Sequence, residues 1–163
     1  MKISDSGLAF IQSCEGLAKN SIQNGVFLPY WDKFGKCWTI AWGIVYLANG
    51  QKVNQNTRLI RAQANAEFRS LLAKFEKCVN DLCTIDKVEL KQCEFDSLVD
   101  FAYNAGQRAL RNSVLWQKIV KHDPSASEQF MRWVYAGGQK VNGLVNRRTK
   151  EKNLFDTGEY LWL

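Results

Sequence analysis

Apolar residues recur along this chain with two different periods, and the switch between them marks its regions. Leu8, Ile11 and Cys14 fall on one helical face with Phe10 beside them, which predicts a first helix. Ser4 or Asp5 can cap its start. Glu15-Gly16 reads as its exit, because glycine readily takes the left-handed conformation that ends helices. From Asn20 to Gly50 the period changes. Glycines 25, 35, 43 and 50 punctuate short runs rich in Val, Ile, Trp, Tyr and Thr, the pattern of a small antiparallel sheet. Asn49-Gly50 is a tight-turn dipeptide. Helical spacing returns at Asn56 or Thr57, and Phe68, Leu71, Leu72, Phe75, Val79 and Leu82 then form one stripe. Four shorter helices are predicted near 90–104, 113–121, 125–134 and 144–155. They stop before Gly106, Asp123-Pro124, Gly137-Gly138 and Gly158 respectively.

This order of elements is that of an α+β protein with two lobes. A small β-containing lobe occupies about 15–56, and a connecting helix runs over 57–82. Residues 83–163, together with the N-terminal helix, form a larger helical lobe. At 163 residues the chain fits a single domain of this kind, 1–163. A cleft between the lobes is the expected place for a ligand.

Composition narrows the classes. An apolar fraction of 46% supplies a core without a metal or disulfide scaffold. No apolar run approaches the roughly 20 residues that span a bilayer, so stable membrane insertion is not expected. The N-terminus lacks the charged start and apolar centre of a signal peptide. The expectation is therefore a protein made and kept in a cytoplasm unless other machinery releases it. Cys14, Cys37, Cys78, Cys83 and Cys93 form no metal-ligand pattern, and reduced thiols are expected. The net charge of +6 favours anionic polymers without choosing among them. Nucleic-acid binding would rest on that charge alone, with no motif behind it. The basic run 147–152 reads as a solvated helix face. His122, the only histidine, sits at a helix end, where it complements the helix dipole.

The candidate chemistry lies at the first helix exit and on the hairpin after it. Cleaving a glycosidic bond takes a carboxyl that stays protonated and a second carboxylate that is ionised. Glu15, beside Cys14 and Leu17, suits the first role. Asp32, beside Lys33, suits the second, and the hydroxyl of Thr39 could help to fix a water. Spacing alone leaves other readings open: Glu15 as a helix cap or surface acid, Asp32 as a turn residue, Thr39 as a strand residue.

Four ordered blocks carry a resemblance. They are Glu15-Gly16-Leu17 with Tyr30-x-Asp32-x-x-Gly35 and Trp38-Thr39-Ile40-x-x-Gly43; then Phe95-Asp96-Ser97-Leu98-Val99-x-Phe101-Ala102-Tyr103-Asn104-x-Gly106; then Ser113-Val114-Leu115; then Arg132-Trp133-x-x-Ala136-Gly137-Gly138 followed by Gly143-Leu144-Val145-x-Arg147-Arg148-x-x-Glu151-x-x-Leu154-Phe155. Together they resemble the phage-type lysozymes, the endolysins of the T4 and P22 lysozyme family (glycoside hydrolase family 24). The resemblance implies a lysozyme-like α+β fold and a muramidase that hydrolyses peptidoglycan between N-acetylmuramic acid and N-acetylglucosamine. It makes Glu15 the general acid, with Asp32 and Thr39 positioning water. Tyr30, Tyr103, Asn104 and Ser113 become sugar-binding residues. No cofactor or metal is implied. The implied partner is the glycan strand of peptidoglycan, with functional dependence on a holin and a monomeric state. The implied location is the host cytoplasm, with release to the wall at lysis.

The chain departs from the family pattern in three places. Residues 18–27 look like an inserted loop. One extra residue lies between Asp32 and Thr39, most easily at Lys36-Cys37. Ala41 and Ile44 stand where Gly and His are common, so the local ion pair of that His is expected to be absent. These departures keep a second reading in play, a catalytically altered or non-catalytic peptidoglycan-binding protein on a lysozyme scaffold. A lytic transglycosylase, which needs an acid but no activated water, is disfavoured by Asp32 and Thr39.

Overall fold

The computed structural model describes residues 1–161. The chain divides into two compact units, one of residues 12–73 and one of residues 1–11 with 74–163. Helices α1 (Asp5–Glu15) and α2 (Arg61–Asp86) each run through the boundary. Among the described residues no helix is long and apolar enough to cross a membrane.

Helix α1 begins as its sequence requires. The Ser4 hydroxyl accepts a hydrogen bond from the Gly7 amide at 2.8 Å, which satisfies one of the donors a helix start leaves open. It ends at Glu15, and Gly16 follows with φ +65°. Gly7 has a second constraint. A Cβ there would collide with the Asp96 carboxylate, so only glycine lets α1 come so close.

The unit of residues 12–73 holds the sheets. Strands β1 (Ile22–Gln23), β2 (Val26–Phe27) and β5 (Leu59–Ile60) form one antiparallel sheet in the order β1-β2-β5. Strands β3 (Tyr30–Asp32) and β4 (Cys37–Thr39) form a separate hairpin. Within segment 18–27, read as an inserted loop, residues 22–27 form the β1–β2 hairpin. Its turn is Asn24-Gly25, both residues at positive φ. It carries Phe27 into the core at 0% exposure, 5.1 Å from the Trp42 ring. Trp42 in turn lies 5.4 Å from Phe68. The long helix starts four or five residues later than its spacing predicts, because Leu59 and Ile60 pair with Phe27 and Val26 first. Asn54 and Thr57 are used up in a turn: the Thr57 hydroxyl accepts from the Asn54 amide, and the Asn54 side chain accepts from the Asn56 amide.

The other unit is built on α3 (Gln92–Ala105), in which every residue from Phe95 to Ala102 is buried. It packs against α6 (Asn142–Thr157). Helices α4 (Gln107–Arg111) and α5 (Val114–Val120) follow α3 in the chain. Phe101 meets Phe130 and Trp133 edge-on at 5.6 and 5.3 Å. The helix expected over 125–134 is a 3-10 segment, Ser127–Arg132. After it, Gly137-Gly138 closes a short hairpin of β6 (Tyr135–Ala136) and β7 (Gln139–Lys140). That glycine pair, read as a helix stop, is a hairpin turn. The basic run at 147–152 is not a solvated face throughout: Arg147 and Arg148 are 7% and 0% exposed. Their charges are met inside, by Asp100 for Arg147 and by Glu151 for Arg148 at 2.7 Å.

Two substitutions test this packing. Phe27→Ala should lower unfolding free energy by about 3–5 kcal/mol in urea titration, as for a filled aromatic site emptied. A loss below about 1 kcal/mol would mean that 18–27 is the dispensable loop its composition implies. Ala41 holds φ +50° while 2% exposed, a conformation that strains any residue with a Cβ. Ala41→Gly should therefore leave stability level or raise it by up to about 1 kcal/mol, despite the added freedom of the unfolded chain. A clear loss would show that the Ala41 methyl contributes more through packing than its backbone costs.

Candidate active site

Strand alternation sorts the β3–β4 hairpin into two faces. Its register pairs Tyr30 with Thr39, Trp31 with Trp38 and Asp32 with Cys37. Tyr30, Asp32, Cys37 and Thr39 therefore share one face. Trp31 and Trp38 take the other and meet edge-on at 5.6 Å. The tryptophan pair holds the strands together. The opposite face carries the groups with chemistry.

Each of those groups is fixed locally. One oxygen of Asp32 accepts the Phe34 amide at 3.0 Å, an Asx turn that anchors the carboxylate at the strand end. Gly35 leaves room for it: a Cβ there would stand 2.6 Å from the other Asp32 oxygen and 3.2 Å from the Cys37 sulfur. The chain returns through a four-residue turn, 33–36, with Lys36 at φ +50°. Thr39 is 3% exposed, and its hydroxyl lies 3.8 Å from the Cys37 sulfur.

Glu15 reaches the same neighbourhood from the end of α1. The link is Tyr30, whose phenol is pushed above its ordinary value. Burial is the largest cause, followed by the charges of Asp32, Glu15 and Cys37. A phenolate would face two carboxylates, so the neutral phenol is favoured. Tyr30, Asp32 and Thr39 thus share one face of the hairpin, and the Glu15 charge reaches the Tyr30 phenol within the same unit. Cys37 is a member of this face that the sequence reading did not single out. Its signal was available: counting back two residues from Thr39 on a strand returns to the same face.

The remaining sugar-binding candidates lie in the other unit. Tyr103 stands edge-on to Phe75 at 5.3 Å, and the Arg147 guanidinium is 6.0 Å from its ring centre. Asn104 is exposed, and its side-chain oxygen accepts from Arg148 at 2.9 Å. Ser113 is 3% exposed and caps α5: its hydroxyl accepts the Trp116 amide at 3.0 Å and donates to the Leu110 carbonyl at 2.7 Å. It also lines a pocket of about 310 Å³ with Asn112, Gln129, Arg132 and Trp133. No group of three or more His, Cys, Asp or Glu suited to a metal ion occurs among the described residues.

Comparison with known proteins gives a family. The phage lysozyme family model matches residues 15–151. An endolysin of Bacillus phage B103 is 34% identical over 160 residues, which are 98% of this chain and 56% of that protein. The chain therefore spans little more than half the length of that relative. Among solved structures, an endolysin from Escherichia coli O157:H7 phage FAHEc1 superposes with a TM-score of 0.82 at 28% identity, covering 99% of this chain and 97% of that one. The muramidase domain of SpmX from Asticaccaulis excentricus superposes with a TM-score of 0.75 at 26% identity, covering 96% and 98%.

The electrostatic link through Tyr30 gives a direct test of convergence. Asp32→Asn should bring the Tyr30 ionisation back toward its ordinary value, and Glu15→Gln should do so by a smaller amount. The readout is a carbon-13 NMR titration of the labelled phenol. An unchanged titration in Glu15→Gln would remove Glu15 from this neighbourhood.

Proposed function

This chain belongs to the phage lysozyme family, and on that premise we propose that it is a muramidase acting on peptidoglycan. The reading rests above all on the hairpin face, where Asp32 and Thr39 lie beside the Tyr30 that senses Glu15. Glu15 donates its proton to the glycosidic oxygen as the bond from the N-acetylmuramic acid anomeric carbon breaks. The leaving sugar departs with a free hydroxyl. Asp32 accepts a proton from a water held by its carboxylate and by the Thr39 hydroxyl. That water adds to the opposite face of the anomeric carbon, so one displacement inverts the configuration. Solvent then returns a proton to Glu15 and takes one from Asp32. Tyr30, Tyr103, Asn104 and Ser113 are proposed to contact the sugar polymer.

The net charge of +6 supports this substrate, because peptidoglycan carries free carboxylates that attract a cationic protein over a distance. Under the same proposal the protein acts as a monomer without a cofactor. It accumulates in the host cytoplasm and relies on a holin-like membrane lesion to reach the wall.

Two measurements test the mechanism. Glu15→Gln should fold normally and lose lytic activity by roughly a hundredfold or more on purified walls. Near-normal lysis by the folded variant sinks the assignment of the acid. Proton NMR of fresh products should show the α-anomer first. This outcome goes with carboxyl groups about 6.5–9.5 Å apart in a complex, leaving room for water. An initial β-anomer would make Asp32 a nucleophile, and a 1,6-anhydro sugar would make the protein a lytic transglycosylase.

A further inference from the structure

The two groups proposed to hold the attacking water differ in kind. The Asp32 carboxylate only accepts hydrogen bonds, whereas the Thr39 hydroxyl can accept or donate. A water that attacks carbon has to keep a lone pair free, so both of its protons must be given away. Asp32 takes one. Thr39 can take the other only if its own proton is turned elsewhere. Left to rotate, the hydroxyl would as readily donate to the water oxygen and tie up the lone pair that the reaction needs.

The hairpin supplies an outlet for that proton. Cys37 pairs with Asp32 across the strands and stands two residues before Thr39 on its own strand, so it fills the corner between them on one face. Its sulfur lies 3.8 Å from the Thr39 hydroxyl oxygen, and among the described residues it is that hydroxyl's hydrogen-bond partner. Thr39 is 3% exposed, which leaves bulk solvent little access to compete for the proton. The sulfur also borders the hollow over Gly35. A Cβ there would stand 3.2 Å from the sulfur and 2.6 Å from the Asp32 Oδ2. A carboxylate across so small a gap attracts the positive end of the S–H dipole and leaves the sulfur lone pairs to Thr39. The S–H group is in any case a weak donor. Of the two directions open to this contact, the hydroxyl donating to sulfur is therefore favoured.

We infer that Cys37 is a positioning residue whose sulfur accepts the Thr39 hydroxyl proton and so commits the Thr39 oxygen to accept from the attacking water. The inference rests on the muramidase reading above and adds a member to its water site. The thiol neither ionises nor reacts in this role; it serves as an acceptor placed between the two groups that hold the water.

The experiment compares steady-state hydrolysis of a soluble peptidoglycan fragment by the unmodified protein and by variants at Cys37 and Thr39, with thermal unfolding of each as a control. Cys37→Ala should lower kcat about three- to tenfold, the scale of one neutral hydrogen bond, with KM and the unfolding temperature unchanged. Cys37→Ser keeps an acceptor on a shorter arm and should recover part of the loss. The loss should also need the hydroxyl. Cys37→Ala should cost as much in a Thr39→Ser background, and less than about twofold in a Thr39→Ala background. An unchanged kcat in Cys37→Ala, an effect confined to KM, or the same loss with and without the hydroxyl at position 39 overturns the inference. If Thr39→Ala is too slow to follow, the kcat and KM of Cys37→Ala decide. If Cys37→Ala fails to fold, Cys37→Val, which fills the space without a lone pair, takes its place. The unmodified protein separates the two claims. Hydrolysis with an initial α-anomer but no effect at Cys37 refutes the role of Cys37 alone. No hydrolysis, or an initial β-anomer, refutes the reading on which that role rests.

Discussion

A helix buried along eight consecutive residues has to account for every charge it carries, and α3 carries two within that stretch. Asp96 is 0% exposed and accepts four hydrogen bonds: from the Ser4 amide and hydroxyl, from Gln92 at 2.8 Å and from Tyr160 at 2.7 Å. Asp100, one turn on, is met by Arg147. Each carboxylate left unpaired in such a place would be strongly destabilising. Much else follows from satisfying them. Residue 7 has to be glycine, Ser4 has to sit at the head of α1, and α6 has to bring a charged turn inward rather than expose it. The chain after Gly158 is drawn back so that Tyr160 can reach Asp96, and its phenol is pushed up to about 12, by burial first and then by the Asp96 contact.

The β3–β4 hairpin solves a different problem in the smallest space. Three-residue strands offer little binding energy of their own, and an isolated two-stranded ribbon is marginal in water. The Trp31–Trp38 contact on one face supplies packing at the middle pair, while the Asx turn at Asp32 and the absent side chain at Gly35 fix the tip. The opposite face is left to Tyr30, Asp32, Cys37 and Thr39. Asp32 serves there both the turn and the proposed chemistry.

The sequence made the helices readable wherever one side of them faces a core. The stripe from Phe68 to Leu82 and the caps at Ser4 and Gly16 translate directly into α1 and α2. It misled where two elements share a signal. Gly137-Gly138 ends helices and also closes hairpins, and only pairing of Tyr135 with Lys140 decides between them. Segment 18–27 is polar enough for a loop, yet one residue, Phe27, makes it part of the core. Arg147 and Arg148 look like surface residues because arginine usually is; Asp100, the partner of Arg147, lies 47 residues away in the chain, beyond the reach of any local pattern. At the site, Asp32 and Thr39 were legible as a pair, and the period of two that puts Cys37 on the face of Thr39 was available but unused, while its pairing with Asp32 needed the register.

The two units differ in how the chain is threaded through them. Residues 12–73 are contiguous, so every residue of that unit exists once position 73 has been made. The other unit combines the first eleven residues with partners that come much later. The Ile3 amide bonds Glu76, Ser4 bonds Asp96, and Asp96 also waits for Tyr160. During synthesis, which proceeds from the N-terminus, residues 1–11 are therefore made long before the groups they pack against and are among the last to find their place. The moment at which this unit closes is set by the ribosome's delivery of α6 and Tyr160, and until then a nascent chain carries that part of its architecture open-ended.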